Sequence, residues 1–228
     1  MECSVCGGRA FTSRAVLWDA LAGDWQLSPA ERDYIDRQQG TSCDACGANL
    51  RSIALANALR ACLGTAALLS DVVGMHAYRR LRLLEINEAG SLTPTLRRLP
   101  GYRYVAYPEV DMHALPFDDR TFDVVVHSDT LEHVPNPVHA LQECRRVLAA
   151  SGALCFTVPT VVGRMTRSRE GLAPSYHGSP ETTPDDFIVQ TEFGADAWTW
   201  PLSAGFSRVE IHAVQFPAAT ALLARNAV

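Results

Sequence analysis

The hydrophobic pattern is most regular between residues 122 and 158. Residues 122–127 are an apolar run without alternation, as expected of a strand covered on both faces. Leu141, Cys144, Val147 and Leu148 then recur at helical spacing. Pro137 opens that helix at a position where its missing N–H costs nothing. Ser151-Gly152 breaks the pattern, and residues 153–158 form a second apolar run. Strand, crossover helix and strand predict a βαβ unit of a parallel sheet.

Other stretches add elements around this unit. Residues 81–90 read as a strand and its loop. Residues 102–107 read as another strand, followed almost at once by Glu109 and Asp111. That leaves no room for a helix, so the sheet is shortened at this edge or two strands are merged. Ser28-Pro29-Ala30-Glu31 is a helix start, with Ser28 as cap and Glu31 closing the box. Ile53, Leu55, Ala56, Leu59 and Leu63 predict a long helix over residues 49–69. Near the C-terminus, residues 187–189 read as a strand, and residues 191–196 lead to a helix holding Trp198 and Trp200.

With 228 residues, the chain is long enough for one α/β domain plus a small module. The composition, 47% hydrophobic and 20% charged, is that of a globular protein. No stretch is long and apolar enough to span a bilayer, which argues against a membrane partner. The start Met1-Glu2-Cys3 carries no export pattern, so a cytoplasmic location is expected. All 20 basic residues are Arg, and the net charge of −5 argues against a nucleic-acid partner.

Cys3, Cys6, Cys43 and Cys46 form two C-x-x-C-G knuckles. Two thiolates two residues apart chelate one face of a metal, and two such turns make a closed four-cysteine zinc site. A closed site is structural. Without an export signal a disulfide framework is the weaker alternative, and a redox role would need a thioredoxin-like context that is absent. Cys62, Cys144 and Cys155 sit in apolar patterns and are expected to pack as small hydrophobes.

Asp111-Met112-His113-Ala114-Leu115-Pro116-Phe117, the Phe122-Asp123-Val124-Val125-Val126 strand, Leu131-Glu132-His133-Val134 and Arg146-Val147-Leu148 with Gly152 occur in an order that resembles class I S-adenosylmethionine-dependent methyltransferases of the type 11 group. The likeness runs from about residue 81 to 211. It implies an α/β, Rossmann-like sheet; the spacing after residue 107 departs from the family in shortening one edge, and the cysteine spacing places a small zinc ribbon of four cysteines before it. The division expected is a ribbon and linking helix over residues 1–60 and a methyltransferase domain over 61–228. An acceptor-side insertion interrupts the latter at about 159–190, and a mobile lid is expected over residues 163–184.

The resemblance also assigns roles. Glu85 matches the acid near the methionine amino group, and Gly90 the last glycine of the cofactor loop. Asn87 stands where the family has a small residue, a departure that a left-handed Asn could accommodate. Glu109, then Tyr107, are the ribose candidates. Asp111 and Met112 match the adenine contacts, and His127 and Ser128 end the central strand where open sheets bind ligands. His133 and His177 are the candidate bases, with Glu132 and Glu192 behind them. The activity implied is methyl transfer to a small-molecule or sugar-like acceptor. Two alternatives remain at this point: an RNA methyltransferase guided by the ribbon, or a non-catalytic binding protein with a degenerate cofactor loop.

Overall fold

The computed structural model describes residues 1–176 and 188–226. The two knuckles are joined by an antiparallel pair, β1 (Phe11–Ser13) with β2 (Thr41–Cys43), which sets Phe11 opposite Cys43. Between these strands run α1 (Asp19–Asp24) and α2 (Pro29–Gly40). The expected capping box is present: Ser28 Oγ accepts the Glu31 N–H, and the Glu31 carboxylate accepts the Ser28 N–H at 2.7 Å.

The predicted helix over residues 49–69 is shorter than expected. α3 (Leu50–Cys62) starts at the Asn49 side chain, which accepts the Ser52 N–H at 2.9 Å. It stops because Gly64 turns left-handed, with φ +64°, and the chain restarts as α4 (Leu69–Val72).

The main sheet follows: β3 (Arg82–Ile86), α5 (Thr93–Leu96), β4 (Gly101–Val105), β5 (Phe122–Ser128), α6 (Pro137–Val147) and β6 (Leu148–Thr157). Then come β7 (Thr160–Val161), β8 (Arg167–Ser168), β9 (Thr191–Gly194), α7 (Thr199–Ser203), β10 (Arg208–Val214) and β11 (Ala219–Arg225). The strand order is β10-β11-β6-β5-β3-β4. β4, β3, β5 and β6 are parallel; β11 and β10 close the other side antiparallel. The four parallel strands make the expected Rossmann-like sheet. Of the two alternatives for its edge, shortening is the one found: β4 pairs only with β3, and no further strand lies between Val105 and Phe122.

The period-2 alternation of the strands sorts the core into two layers. Leu83, Val124, Val126, Cys155 and Leu223 face α3, in one continuous cluster that also holds Cys3, Val5, Leu50 and Ile53. Leu84, Val125, Leu154, Phe156 and Leu222 face α6, against Ala140, Leu141, Cys144 and Val147. The predicted strand at residues 153–158 starts earlier, at Leu148, which pairs with Phe122 before an irregularity in register. Trp198 precedes α7 as its N-cap, while Trp200 lies within it.

The insertion after β6 folds into a small sheet of order β7-β9-β8. Its described part is fastened down. Arg167 and Arg169 both pair with the buried Glu192 carboxylate, and Arg164 reaches across to Glu31 at 2.8 Å. Residues 177–187, which include His177 and the last part of the predicted lid, lie outside the described residues.

Candidate active site

The carboxyl ends of β3, β4 and β5 surround a cavity of about 680 Å3. An open parallel sheet binds ligands at such a place, where strand order reverses. Ile86, Asn87 and Glu88 come from the loop after β3; Tyr104, Ala106 and Tyr107 from the end of β4; Asp111, Met112 and His113 from the loop before β5; Ser128, Asp129, Thr130 and His133 from the loop after it. Ile188 and Gln190 close it from the approach to β9. Asn87, Tyr107, Asp111, Met112, Ser128 and His133 are therefore brought together as the sequence implied.

Asn87 adopts the left-handed conformation, with φ +53°. Its side chain accepts the Tyr107 N–H at 3.1 Å and lies 3.4 Å from Thr130 Oγ1. It thereby ties the loops after β4 and β5 across the end of β3. The departure from a small residue is used as a brace.

Asp111 Oδ1 accepts the His113 N–H at 2.8 Å and meets His113 Nδ1 at 2.9 Å. The His113 amide first, and its ring second, hold this carboxyl below the usual carboxylate range. These bonds use Oδ1 alone, and the side chain is 57% exposed. Met112 packs its buried thioether side chain into the wall.

Four of the expected cofactor contacts lie outside the lining. Glu85 is fully buried and spends both oxygens inside the protein: Oε1 accepts from the Ala89 N–H at 2.7 Å and from the Thr93 hydroxyl, and Oε2 from the Tyr102 hydroxyl at 2.7 Å. It shapes the loop instead of reaching the cavity. Gly90 is demanded by packing: it is left-handed at φ +57°, and a Cβ there would come within 2.8 Å of Ser52 Oγ on α3. Glu109 is exposed and lines no part of the cavity. Glu88, which the sequence reading passed over, is the carboxylate that does line it.

His127 is the clearest correction. The alternation that points Val125 toward α6 points His127 there too, so its ring is fully buried and stacks on Phe156 at 4.9 Å. Neither ring nitrogen has a partner among the described residues. Burial pulls its pKa down to about 4. Because the folded value lies below the unfolded one, the unfolded chain takes up this proton first as pH falls. The stability tied to this residue is full above pH ~6.5 and is lost between pH ~6.5 and ~4, by about 3 kcal/mol at most. A His127→Phe variant should therefore lose about 2 kcal/mol less than the parent between pH ~7 and ~4.5. Urea melts at the two pH values measure this, and equal losses would contradict it.

A second cavity, of about 240 Å3, adjoins the first. Val16, Leu17, Trp18, Leu21, Trp25 and Leu27 form one side of it, and Ile35, Gln38 and Gln39 of α2 another. Asp129 and His133 line both cavities, and Glu132 lines the second. Asp129 is neutralised by an ion pair with Arg51 of α3. His133 Nδ1 lies 2.9 Å from the Ile188 carbonyl, which only accepts, so Nδ1 carries the proton. Nε2, the other ring nitrogen, lies 3.6 Å from Glu132 Oε1. Glu192 is not available as a base, since both its oxygens are held by arginines.

The four knuckle cysteines converge. Cys3 Sγ lies 3.7 Å from Cys46 Sγ, Cys6 Sγ lies 3.7 Å from Cys43 Sγ, and the four sulfurs all fall within 4.8 Å of one another. Tetrahedral zinc with bonds of about 2.3 Å separates its sulfurs by about 3.8 Å. Each knuckle turns at a left-handed glycine, Gly7 at φ +78° and Gly47 at φ +74°, whose amides donate to the Cys3 and Cys43 carbonyls. The residues fit such an ion.

Comparison with known proteins follows this geometry. Residues 63–156 match the type 11 family model described as a methyltransferase domain. A demethylmenaquinone methyltransferase of Clavibacter sepedonicus is 31% identical over 134 residues, 53% of this chain and 54% of that protein. The chain thus aligns with about half the length of this curated relative. Among solved structures, the CurJ carbon methyltransferase is 15% identical, with a TM-score of 0.44, covering 92% of this chain and 70% of that one. A possible histamine N-methyltransferase of Thermotoga maritima is 15% identical, with a TM-score of 0.40, covering 64% of this chain and 82% of that one.

Proposed function

We propose that this chain transfers a methyl group from S-adenosylmethionine to a small-molecule acceptor, and that zinc bound by Cys3, Cys6, Cys43 and Cys46 holds its N-terminal module. The observation that carries the reading is the 680 Å3 cavity at the carboxyl ends of β3, β4 and β5. Its volume suits a cofactor of that size. Among the described residues its acidic lining is Glu88, Asp111 and the paired Asp129, with no arginine, which suits a ligand bearing a cationic sulfur and an amino group.

When bound, S-adenosylmethionine supplies a methyl group on a positively charged sulfur. The protein's task is then alignment and exclusion of water. Asp111 and Met112 would hold the adenine and Glu88 the ribose or amino end, while Asn87 braces the loops. His133 Nε2 takes the proton that an O–H or N–H acceptor gives up. Seven free cysteines suit a reducing compartment, and we place the protein in the cytoplasm.

Asp111→Ala should weaken S-adenosylmethionine binding by about 1–3 kcal/mol, the cost of losing a charged acceptor that the bound ligand would cover. Isothermal calorimetry on the folded variant tests this. An unchanged dissociation constant would remove Asp111 from the site.

A further inference from the structure

We propose that the helical segment between the two knuckles is the acceptor-recognition element, and that it takes an apolar ring system bearing an O–H or N–H group, not a sugar. This rests on the methyltransferase reading above.

The 240 Å3 cavity shares a wall with the cofactor-sized cavity, through Asp129 and His133. An acceptor must sit at such a junction, since the transferred group passes between the two. The other walls include Val16, Leu17, Trp18, Leu21, Trp25 and Leu27, all from the chain between the knuckles. Their side chains offer carbon and two indole rings. A sugar would leave its hydroxyls unpaired against them. An apolar cavity of about 150 Å3 accepts benzene, so this one accommodates a substituted ring or two fused rings.

One polar atom stands out on this surface. Gln38 of α2 is 2% exposed, lines the cavity, and its Oε1 has no hydrogen-bond partner among the described residues. A buried acceptor left unpaired is costly. A donor on the ligand would satisfy it, while a second donor would reach His133 at the shared wall.

The chamber is also held in place from both sides. Arg164, in the insertion after β6, donates to Glu31 Oε1 at 2.8 Å, to the Trp25 carbonyl at 2.7 Å and to the Gln26 carbonyl at 2.6 Å. This arginine holds the Glu31 carboxyl down at about 2. Trp25 Nε1 donates to Ser175 Oγ at 2.7 Å, and Val162 N–H to the Tyr34 hydroxyl at 2.9 Å. The knuckle segment and the insertion thus form one walled site, in which the zinc module fixes the shape of the pocket that chooses the acceptor.

The test uses the full-length protein with 1-naphthol as the ring probe and methyl α-glucoside as the sugar probe. Binding is read by quenching of tryptophan fluorescence and by calorimetry, with S-adenosylhomocysteine titrated in parallel. Trp18→Ala removes an exposed ring, and Gln38→Leu removes the unpaired acceptor with a side chain of similar size. The parent should bind 1-naphthol but not the glucoside. Each variant should bind 1-naphthol about three- to tenfold more weakly, the range expected for one aromatic contact or one hydrogen bond. Both should keep the parent's affinity for S-adenosylhomocysteine and its melting temperature to within a few degrees.

A parent that binds S-adenosylhomocysteine but not 1-naphthol, or that binds it as well in both variants, overturns the proposal. Naphthol binding that depends on Trp18 and Gln38 in a protein with no affinity for S-adenosylhomocysteine has a different meaning. It would remove the methyltransferase reading and, with it, the role of this chamber as an acceptor site.

Discussion

Stripping zinc from the protein, or replacing Cys43 with serine, should unfold the N-terminal module. Structural zinc in small ribbons contributes on the order of 10–16 kcal/mol, comparable to the whole stability of a domain. The knuckles themselves have little regular structure of their own: β1 and β2 are three residues each, and α1 is six. The damage should not stop there. Cys3, Val5, Leu50 and Ile53 belong to the same cluster as Val124 and Val126 of the central strand, so losing the knuckles uncovers α3 and one face of the sheet. Metal analysis should find one zinc per chain in the parent and none in Cys43→Ser. Trp25 is buried at the module's edge and should show a red-shifted emission when the metal is removed. Zinc-free protein with an unchanged melt and unshifted emission would contradict the site.

Removing the His133 imidazole should lower turnover by about 10²–10⁴-fold once the acceptor is known, the usual contribution of a general base. The loss should fall on kcat, because proton removal belongs to the chemical step and not to binding. His133 is favoured by position: it lines both cavities and presents Nε2 near Glu132. Cys144 and Cys155 are poor rivals, since both are fully buried and burial pushes their thiols well up. A His133→Ala variant with undiminished kcat would leave the transfer to alignment alone or move the base to Glu132.

The sequence was most informative where local chemistry fixes geometry. The Ser28 box, Pro137 at the start of α6, the knuckle glycines and a left-handed Asn87 all act within a few residues, and each is found as expected. The shortened sheet edge was also legible, because the gap between Tyr107 and Asp111 leaves no room for another helix. What failed depended on facing direction or on distant chain. Nothing in an unalternating run such as residues 122–127 says which face its last residue takes. His127, expected at the cofactor, turned inward onto Phe156. Glu85 sits where the family's acid sits, yet Tyr102 and Thr93 claim it from 17 and 8 residues away. Ile188 and Gln190 reach the cavity only because β9 packs between β7 and β8, and no local pattern announces that. The wall formed by Trp18, Leu21 and Gln38 was invisible for the same reason: Gln38 ended a helix that began at Ser28, and nothing local set Trp18 and Leu21 beside it.

The central claim is that the cavity at the ends of β3, β4 and β5 is the cofactor site. A crystal structure of the complex with S-adenosylhomocysteine tests it most directly. The account predicts the adenine beside Asp111 Oδ2 and Met112, the thioether sulfur directed toward His133 and the apolar chamber, and Glu85 still bonded to Ala89, Thr93 and Tyr102. Density for the ligand elsewhere, or none under saturating conditions in calorimetry, would contradict it.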